Sequence, residues 1–337
     1  MKALVSVLMC VYNTPISYLR EAVHSILRQS FIEYEFIIVD DGSDSIDVRR
    51  FIDTLKTQNR VIIVRNERNI GLTKSLNIGL KICKGKYIAR MDSDDVSNKE
   101  RLKTQFEYLE NHLNVCVLGS DISYISDDHL HIPPFIDFMD NQELFKIKML
   151  FRNVGPIHPS TMIRRSFLLE NNIRYRESEL KAQDYGLWLD CINVGGTIVC
   201  LKNILLGYRV HREQITISHH EDQDKCIEEM SKDQIVKLFD IDDESASILA
   251  SFFSNHYCVS PERYIESINT LIRINKEVRI YNEKLLRQEL MVRWIHKVIK
   301  CALKSKDFRG FAFLFTYRCI LSKAIVIWAR NVFLGVA

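Results

Sequence analysis

The sequence predicts an α/β fold, in which a mostly parallel sheet is flanked by helices and followed by a helical C-terminal region. Three observations support this class. In the first 120 residues, short apolar runs alternate with amphipathic segments, as in successive strand–helix–strand units. Acidic or amide side chains follow three of the apolar runs, where ligands of such sheets bind. From about residue 221 the pattern is helical, with few Gly or Pro residues.

The first half of the chain supplies the predicted sheet. Val5 to Val11 is an apolar run typical of a buried parallel strand, and Ser17 is placed to cap a helix that reaches about Phe31. Further strands are predicted at 35–39, 61–65, 87–91 and 115–119, with helices at about 47–58, 72–84 and 99–112. Because such crossovers are right-handed, these units predict one parallel sheet.

The second half is less regular. Residues 120–160 show no clear period, and helices are expected from Phe167 and at 185–194, with a late strand at 198–206. In the helical region, Ser231 and Ser260 are candidate helix caps. The change of pattern predicts a domain boundary near residue 220.

The composition of the chain argues against some classes of function. The 337 residues are 47% apolar, enough for a sizeable core, and a net charge of +3 gives no argument for a nucleic-acid partner. Nine cysteines without a Cys-x-x-Cys pair, and a first strand pattern with no signal peptide before it, predict reduced thiols in a cytoplasmic protein. No apolar run approaches the length of about 18 residues that a spanning helix needs.

The end of the chain is basic. From Leu290 onward, nine Lys or Arg residues stand against one acid, Asp307, and residues 308–337 are rich in aromatic side chains. Basic amphipathic helices of this kind bind anionic membrane surfaces, which predicts a peripheral location on the inner face of the plasma membrane. Packing on the rest of the chain, or on the second copy in a homodimer, explains the pattern equally well.

An acidic cluster follows the strand predicted at 87–91. Asp92, Asp94 and Asp95 place three carboxylates within four residues, and a bound divalent cation would relieve their mutual repulsion. Mn²⁺ or Mg²⁺ held by Asp92 and Asp94 would take its other ligands from phosphate oxygens and stabilise a departing diphosphate. The alternative is a solvated acidic turn in which Asp95 caps the next helix.

Two further clusters follow strands. Asp41, in an Asp-Asp-Gly-Ser sequence, is placed to accept hydrogen bonds from a base or ribose, although an ordinary Asp-Gly turn has the same sequence. Arg68 and Asn69 precede Gly71, where a helix is predicted to open, so this segment is a candidate anion or base pocket. A plain helix start is the alternative.

Taken together, these motifs resemble the family 2 nucleotide-sugar glycosyltransferases, which have the GT-A fold, a Rossmann-like sheet flanked by helices. The segments that carry the resemblance are 7–13, 39–43, 69–72, 77–79, 85–89 and 91–95. The likeness continues more loosely to about residue 215. It implies residues 1–120 as the nucleotide-sugar half and 121–220 as the acceptor half of a catalytic domain, with 221–337 as a helical extension.

The resemblance also implies an activity. It predicts a metal-dependent, inverting hexosyl- or N-acetylhexosaminyltransferase that moves one sugar from a UDP-sugar to a hydroxyl of a glycan or lipid-linked acceptor, in surface polysaccharide biosynthesis. Asp41 and the backbone near Tyr12 would hold the base, Asp92 would lie near the ribose or metal, and Asp94 would bind the metal. His211 would complete the metal or diphosphate site, and Arg209 or Arg212 would pair with phosphate. The other predicted donor contacts are Asn13, Arg68, Asn69, Gly71 and Ser93.

Asp184 is the candidate general base that takes the proton of the acceptor hydroxyl. The family has an acid pair here, whereas this chain has Gln183 before Asp184. The alternative is that Asp184 caps the helix predicted at 185–194. His158, in a segment that also resembles the family, is a candidate pocket residue.

Three rival functions are distinguishable. A processive synthase would carry Gln-x-x-Arg-Trp after Asp184 and several spanning helices, and neither is found in the sequence. A nucleotidyltransferase would have a Gly-rich loop after the first strand, but residues 12–15 contain no glycine. A catalytically inactive nucleotide-sugar-binding or scaffold subunit remains open, because Gln183 replaces an acid.

Overall fold

The computed structural model describes residues 3–126, 141–179, 181–211, 220–252 and 259–305. The chain divides into two compact units. The first comprises Met1–Met139 and Gly155–His219, and the second comprises Asp140–Val154 and His220–Ala337.

A single sheet organises the first unit. Its strands are β1 (Val5–Val11), β2 (Tyr34–Asp40), β3 (Val61–Arg65), β4 (Tyr87–Met91), β5 (Val96–Ser97), β6 (Val115–Ser126), β7 (Met162–Arg164) and β8 (Thr197–Val210). Among the described residues their order is β3-β2-β1-β4-β7-β6-β8-β5. The pairs among β1 to β4 are parallel, as is β6 with β8, whereas β7 runs antiparallel to β4 and β6 and β5 runs antiparallel to β8. The mostly parallel sheet predicted from the sequence is confirmed.

The described helices follow in chain order. They are α1 (Ile16–Leu27), α2 (Ile46–Thr54), α3 (Leu72–Ile82), α4 (Arg101–Asn111), α5 (Gln142–Met149), α6 (Arg165–Glu170), α7 (Gln183–Asn193), α8 (His220–Phe239), α9 (Asp243–Ala250), α10 (Pro261–Val278) and α11 (Glu283–Ser305). Short 3-10 turns lie at Leu55–Thr57 and His158–Ser160. Helices α5 and α8 to α11 belong to the second unit.

The register of the central strands positions the functional residues. β1 and β2 are buried along almost their whole length, as expected of parallel strands covered on both faces. Val11 pairs with Asp40, and Met9 pairs with Met91. Because β1, β2 and β4 are parallel and paired in this register, the segments that follow them leave the sheet at the same edge. Residues 12–14, 41–45 and 92–95 therefore emerge together.

The first helix differs from its prediction at both ends. Pro15, not Ser17, occupies the N-cap position, with no side-chain cap, and α1 ends at Leu27, well before Phe31. Helix α1 ends early because the residues after it form tertiary hydrogen bonds. The Gln29 carboxamide donates to the Asn98 carbonyl (2.7 Å) and accepts from the Leu102 amide (3.0 Å), so this segment binds residues 98–102 instead of extending the helix.

Two predictions for the later chain were wrong. Residues 120–160 are not irregular throughout, because β6 continues to Ser126 through its pairing with β8, and α5 begins after Asn141, whose side chain accepts from two backbone amides. Ser231 does not cap a helix but lies inside α8, where its hydroxyl donates to the Leu150 carbonyl at 2.8 Å.

The second unit has its own helical core. Large apolar side chains from α10 and α11, such as Leu271, Leu290 and Trp294, pack together in it. Two of the basic residues counted in the C-terminal charge are also buried, since Lys297 donates to the Ser251 carbonyl (2.8 Å) and Arg293 lies over the Phe151 ring. These two charges are therefore not available to a membrane surface.

The described helices include none that is both long and apolar enough to cross a membrane. The basic aromatic segment 308–337 lies outside the described residues, so its predicted membrane or packing role stays a prediction.

Candidate active site

Asn13 organises the loop that follows β2. It adopts a positive φ of 49° at the end of β1, and its carboxamide oxygen accepts from the Asp44 and Ser45 amides at 2.8 and 3.1 Å. Its own amide donates to the Ser43 hydroxyl (3.1 Å). Tyr12, immediately before it, is 46% exposed. Asn13 thus fixes the loop, while Tyr12 presents an aromatic surface at the edge of the sheet.

Asp41 holds the loop that carries Arg68 and Asn69. Its buried carboxylate accepts from the Asn66 side chain (2.8 Å) and from the backbone amides of Ile70 and Gly71 (both 2.9 Å). A carboxylate accepts about four hydrogen bonds, and the described residues supply these three, which leaves one acceptor position. Gly71, with φ of 92°, precedes α3. The predicted base-binding residues therefore form one connected unit, with Arg68 and Asn69 exposed upon it.

Gly42 allows the two loops to approach closely. A Cβ at this position would lie 2.4 Å from the Arg68 carbonyl carbon and 2.7 Å from the Asn69 nitrogen, and φ is +69°. Gly195 has a similar φ of +83°, but a Cβ there would meet nothing within 4 Å.

We expect Gly42→Ala to cost more stability than Gly195→Ala. Both variants carry the positive-φ penalty of about 1–2 kcal/mol, and Gly42→Ala adds a backbone clash of about 1–3 kcal/mol. Urea unfolding of both variants measures the difference. Equal losses of unfolding free energy in the two variants would show that the Arg68 loop moves away from the added methyl group at no cost in stability, which would contradict the close packing of the two loops.

The acidic cluster lies in the turn between β4 and β5. Carboxylate oxygens of Asp92, Asp94 and Asp95 all lie within 4.8 Å of one another. Asp95 is fully buried and does not cap a helix, since α4 begins at Arg101 with Glu100 in the N-cap position. Its Oδ1 accepts from the Arg209 amide (2.8 Å), and within the described part of the chain its Oδ2 has no hydrogen-bond partner. The capping alternative for Asp95 is therefore wrong.

The electrostatics of the cluster suit a divalent cation. Burial, and then the charge of Asp92, raises the pKa of Asp94. Burial, followed by Asp92 and Asp94, raises the pKa of Asp95 well above its usual value. A cation would reverse both effects, and the buried Oδ2 of Asp95 is an oxygen ligand of the kind that Mg²⁺ and Mn²⁺ prefer. The residues present fit such an ion.

His211 joins the cluster from a distant segment. It follows β8, and its Nε2 lies 2.8 Å from Asp94 Oδ2. The structure thus brings together Asp94, Asp92 and His211, the residues for which the resemblance implied a shared metal or diphosphate site. Arg212 lies outside the described residues.

Two further contacts fix the turn between β4 and β5. Arg90, buried in β4, forms an ion pair with Asp92. The Ser93 hydroxyl lies 2.6 Å from that of Thr14, which ties this turn to the segment after β1. Arg90 was not among the candidate residues predicted from the sequence. An arginine inside an apolar strand was the available signal, because a buried charge requires a partner.

Asp184 lies in the first turn of α7. The helix begins at Gln183 and Ala182 occupies its N-cap position, so the capping alternative for Asp184 is wrong. An acid in the first turn of a helix interacts favourably with the helix dipole. Beside it, the buried Oε1 of Gln183 has no hydrogen-bond partner among the described residues.

Tyr175 is a buried tyrosine whose pKa responds to two nearby charges. Burial is the main cause that raises the pKa of Tyr175, the charge of Asp184 adds to it, and Arg90 opposes it. Arg90 in turn pairs with Asp92.

His158 is a buried residue that contacts Tyr175 and helix α7. Its Nε2 lies 2.7 Å from the Tyr175 hydroxyl, and its ring packs edge-to-face on Trp188 of α7. Burial, reinforced by Arg90, lowers the pKa of His158 well below its usual value, so the ring is neutral. Asn77 also exchanges two hydrogen bonds with the Tyr175 backbone (2.9 and 3.0 Å). His158 thus packs in the core beside α7.

Comparison with known proteins identifies the family. The model of a family described as Glycosyl transferase family 2 matches residues 6–171. An uncharacterized glycosyltransferase of Methanocaldococcus jannaschii is 33% identical over 214 residues, which cover 62% of this chain and 71% of that protein. The chain belongs to glycosyltransferase family 2. A second relative of this glycosyltransferase, the O-antigen biosynthesis glycosyltransferase WbnJ of Escherichia coli, is 30% identical over 244 residues, covering 70% of this chain and 92% of WbnJ.

Solved structures confirm the fold of the glycosyltransferase. Residues 1–349 of S. aureus TarS, in complex with UDP-GlcNAc, superpose with a TM-score of 0.62 and 18% identity, covering 92% of this chain and 93% of that one. At this identity the match establishes the shared fold, and the GT-A fold expected from the sequence is confirmed. The predicted roles of single site residues stay predictions.

Proposed function

We propose that this glycosyltransferase moves a single sugar from a UDP-sugar to a hydroxyl of a glycan or lipid-linked oligosaccharide, with inversion at the anomeric carbon. The observation that carries the proposal is the convergence of the acidic cluster and His211 with the Asp41 loop at one edge of the sheet. Two comparisons support the substrate class. WbnJ is named for O-antigen biosynthesis, and TarS has been crystallised with UDP-GlcNAc.

The donor would bind along the edge of the sheet. Tyr12 would cover the base, and the remaining acceptor position of Asp41 would take a base N–H. Asp94 and His211, with Asp92 and Asp95 beside them, would hold Mn²⁺ or Mg²⁺. The chemistry that such an ion supplies is stabilisation of the negative charge on the leaving diphosphate.

Asp184 would act as the general base. Its carboxylate would take the proton of the acceptor hydroxyl while that oxygen forms a bond to the anomeric carbon and the bond to the diphosphate breaks. Because Gln183 is neutral, Asp184 is the sole acid of the pair, and one base is sufficient for a direct displacement.

The acceptor class suggests where the enzyme works. A lipid-linked oligosaccharide is held at a membrane, so we place the enzyme in the cytoplasm, at the inner face of the membrane. An inactive nucleotide-sugar-binding subunit remains the second candidate, because Gln183 stands where the family has an acid.

A donor panel tests the proposal. Purified protein is incubated with UDP-, GDP- and dTDP-sugars in Mn²⁺ or in EDTA, and nucleoside diphosphate release is measured with and without a lipid-linked oligosaccharide acceptor. We expect release from one or a few UDP-sugars, in Mn²⁺ only. UDP binding without turnover of any donor would favour the inactive subunit, and full release in EDTA would contradict the cation role.

A further inference from the structure

Arg209, near the end of β8, contacts two other segments of the first unit, the turn between β4 and β5 and helix α1. Its backbone amide donates to Asp95 Oδ1 and its Nε donates to the Asp94 carbonyl, both at 2.8 Å. Its Nη2 forms an ion pair with Glu21 of α1. The residue is only 5% exposed, so this geometry is built into the fold.

An aromatic ring completes the arrangement. Tyr18, one helical turn before Glu21, lies under the Arg209 guanidinium, 4.3 Å from its central carbon to the ring centroid. The same ring packs against His211, with centroids 5.6 Å apart. Tyr18 therefore touches both Arg209 and a proposed cation ligand.

We propose that Tyr18, Glu21 and Arg209 form a clamp that positions the cation ligands Asp94 and His211. The inference rests on the proposed function and goes beyond it, by assigning control of cation affinity to helix α1. Asp94 and His211 are 117 residues apart in the chain, and each lies in a loop. Holding both loops in place before the ion arrives removes the ordering cost from the binding step.

The clamp also has an electrostatic part. A guanidinium beside a divalent cation would repel it, but the carboxylate of Glu21 balances that charge from the side of α1. The planar guanidinium directs Nε to the Asp94 carbonyl and Nη2 to Glu21 at the same time, which lysine cannot do. These contacts give Arg209 a positioning role, whereas the resemblance implied that Arg209 or Arg212 pairs with phosphate.

The test measures cation binding directly, in the absence of donor and acceptor. Mn²⁺ is titrated into the whole protein and free Mn²⁺ is followed by electron paramagnetic resonance. We expect Glu21→Gln and Tyr18→Leu to raise the Kd for Mn²⁺ by about tenfold to a hundredfold, the usual effect of losing a partner that orients a metal ligand. Glu21→Asp, which keeps the charge, should recover part of the affinity. Glu107→Gln, at an exposed acid of α4, should match wild type.

Two controls separate positioning from general stability. The Tm in EDTA and the UDP affinity in EDTA should stay close to wild type in Glu21→Gln, because its side chain is 58% exposed. Unchanged Mn²⁺ affinity in both clamp variants, with normal binding by wild type, would overturn the clamp and leave the proposed function standing. Wild type that binds no Mn²⁺ would overturn both. Equal losses of UDP and Mn²⁺ affinity would show that the contacts serve the fold in general, which also overturns the clamp.

Discussion

Replacing Asp94 by alanine is expected to reduce nucleoside diphosphate release by roughly a thousandfold or more. Stabilisation of the leaving diphosphate by a cation is worth several kcal/mol, and each 1.36 kcal/mol is tenfold in rate. Asp94 is the member of the acidic cluster that contacts His211, so its loss removes a carboxylate ligand and frees the histidine. Steady-state release at saturating donor and Mn²⁺ measures the effect.

A matched substitution controls for the loss of an acid. Asp53→Ala removes a carboxylate of α2 that is 44% exposed and pairs with Lys56. Exposed ion pairs contribute little to stability, so this variant should keep wild-type activity. If Asp94→Ala released diphosphate at more than half the wild-type rate, the proposed cation site would be wrong.

The second large effect is expected from Asp184→Asn. The amide keeps the shape of the side chain but cannot accept the hydroxyl proton, so sugar transfer should fall by about 10²–10⁴-fold. Affinities for UDP and for Mn²⁺ should change less than about twofold, as expected for a residue that acts only in the chemical step. Transfer assays and calorimetric titrations of the same preparation measure both quantities.

Asp190→Asn provides the control on the same helix. Asp190 is paired with Arg176 through two hydrogen bonds of 3.0 and 2.7 Å and lies in the last two turns of α7. It should keep most of the transfer activity. A loss of UDP affinity in Asp184→Asn that parallels the loss of transfer would mean that Asp184 maintains the structure and is not the base.

The sheet and its functional edge could be predicted because buried parallel strands are apolar on both faces. β1, β2 and β4 each appear as short, largely apolar runs that are buried in the structure, and the polar segments after them share one edge. Strand direction alone predicts this shared edge, and the observed register confirms it.

Contacts between distant segments could not be predicted in the same way. The bond from Arg209 to the Asp94 carbonyl spans 115 residues, and nothing local to either residue indicates it. The end of α1 is similar, since Gln29 leaves the helix for residues 98–102. Pattern and propensity describe neighbours along the chain, so tertiary partners that override them remain hidden.

Asp184 is an intermediate case between the features that the sequence predicts and those that it does not. An acid before an amphipathic run has the same sequence signature whether it caps the helix or lies within its first turn. The structure places Ala182 at the cap and Asp184 inside the helix. One residue of difference in the helix start thus removes the alternative that the sequence had left open.

The central claim is that Asp94 binds a cation at the edge of the sheet and that Asp184 acts as the general base in the same cleft. Crystals grown with Mn²⁺ and UDP, measured at the manganese absorption edge, test it most directly. We expect one strong anomalous peak within ligand distance of Asp94 and His211, bridged to the diphosphate, with the Asp184 carboxylate facing the same cleft. UDP bound with its diphosphate away from Asp94, or a manganese peak elsewhere on the protein, would contradict it.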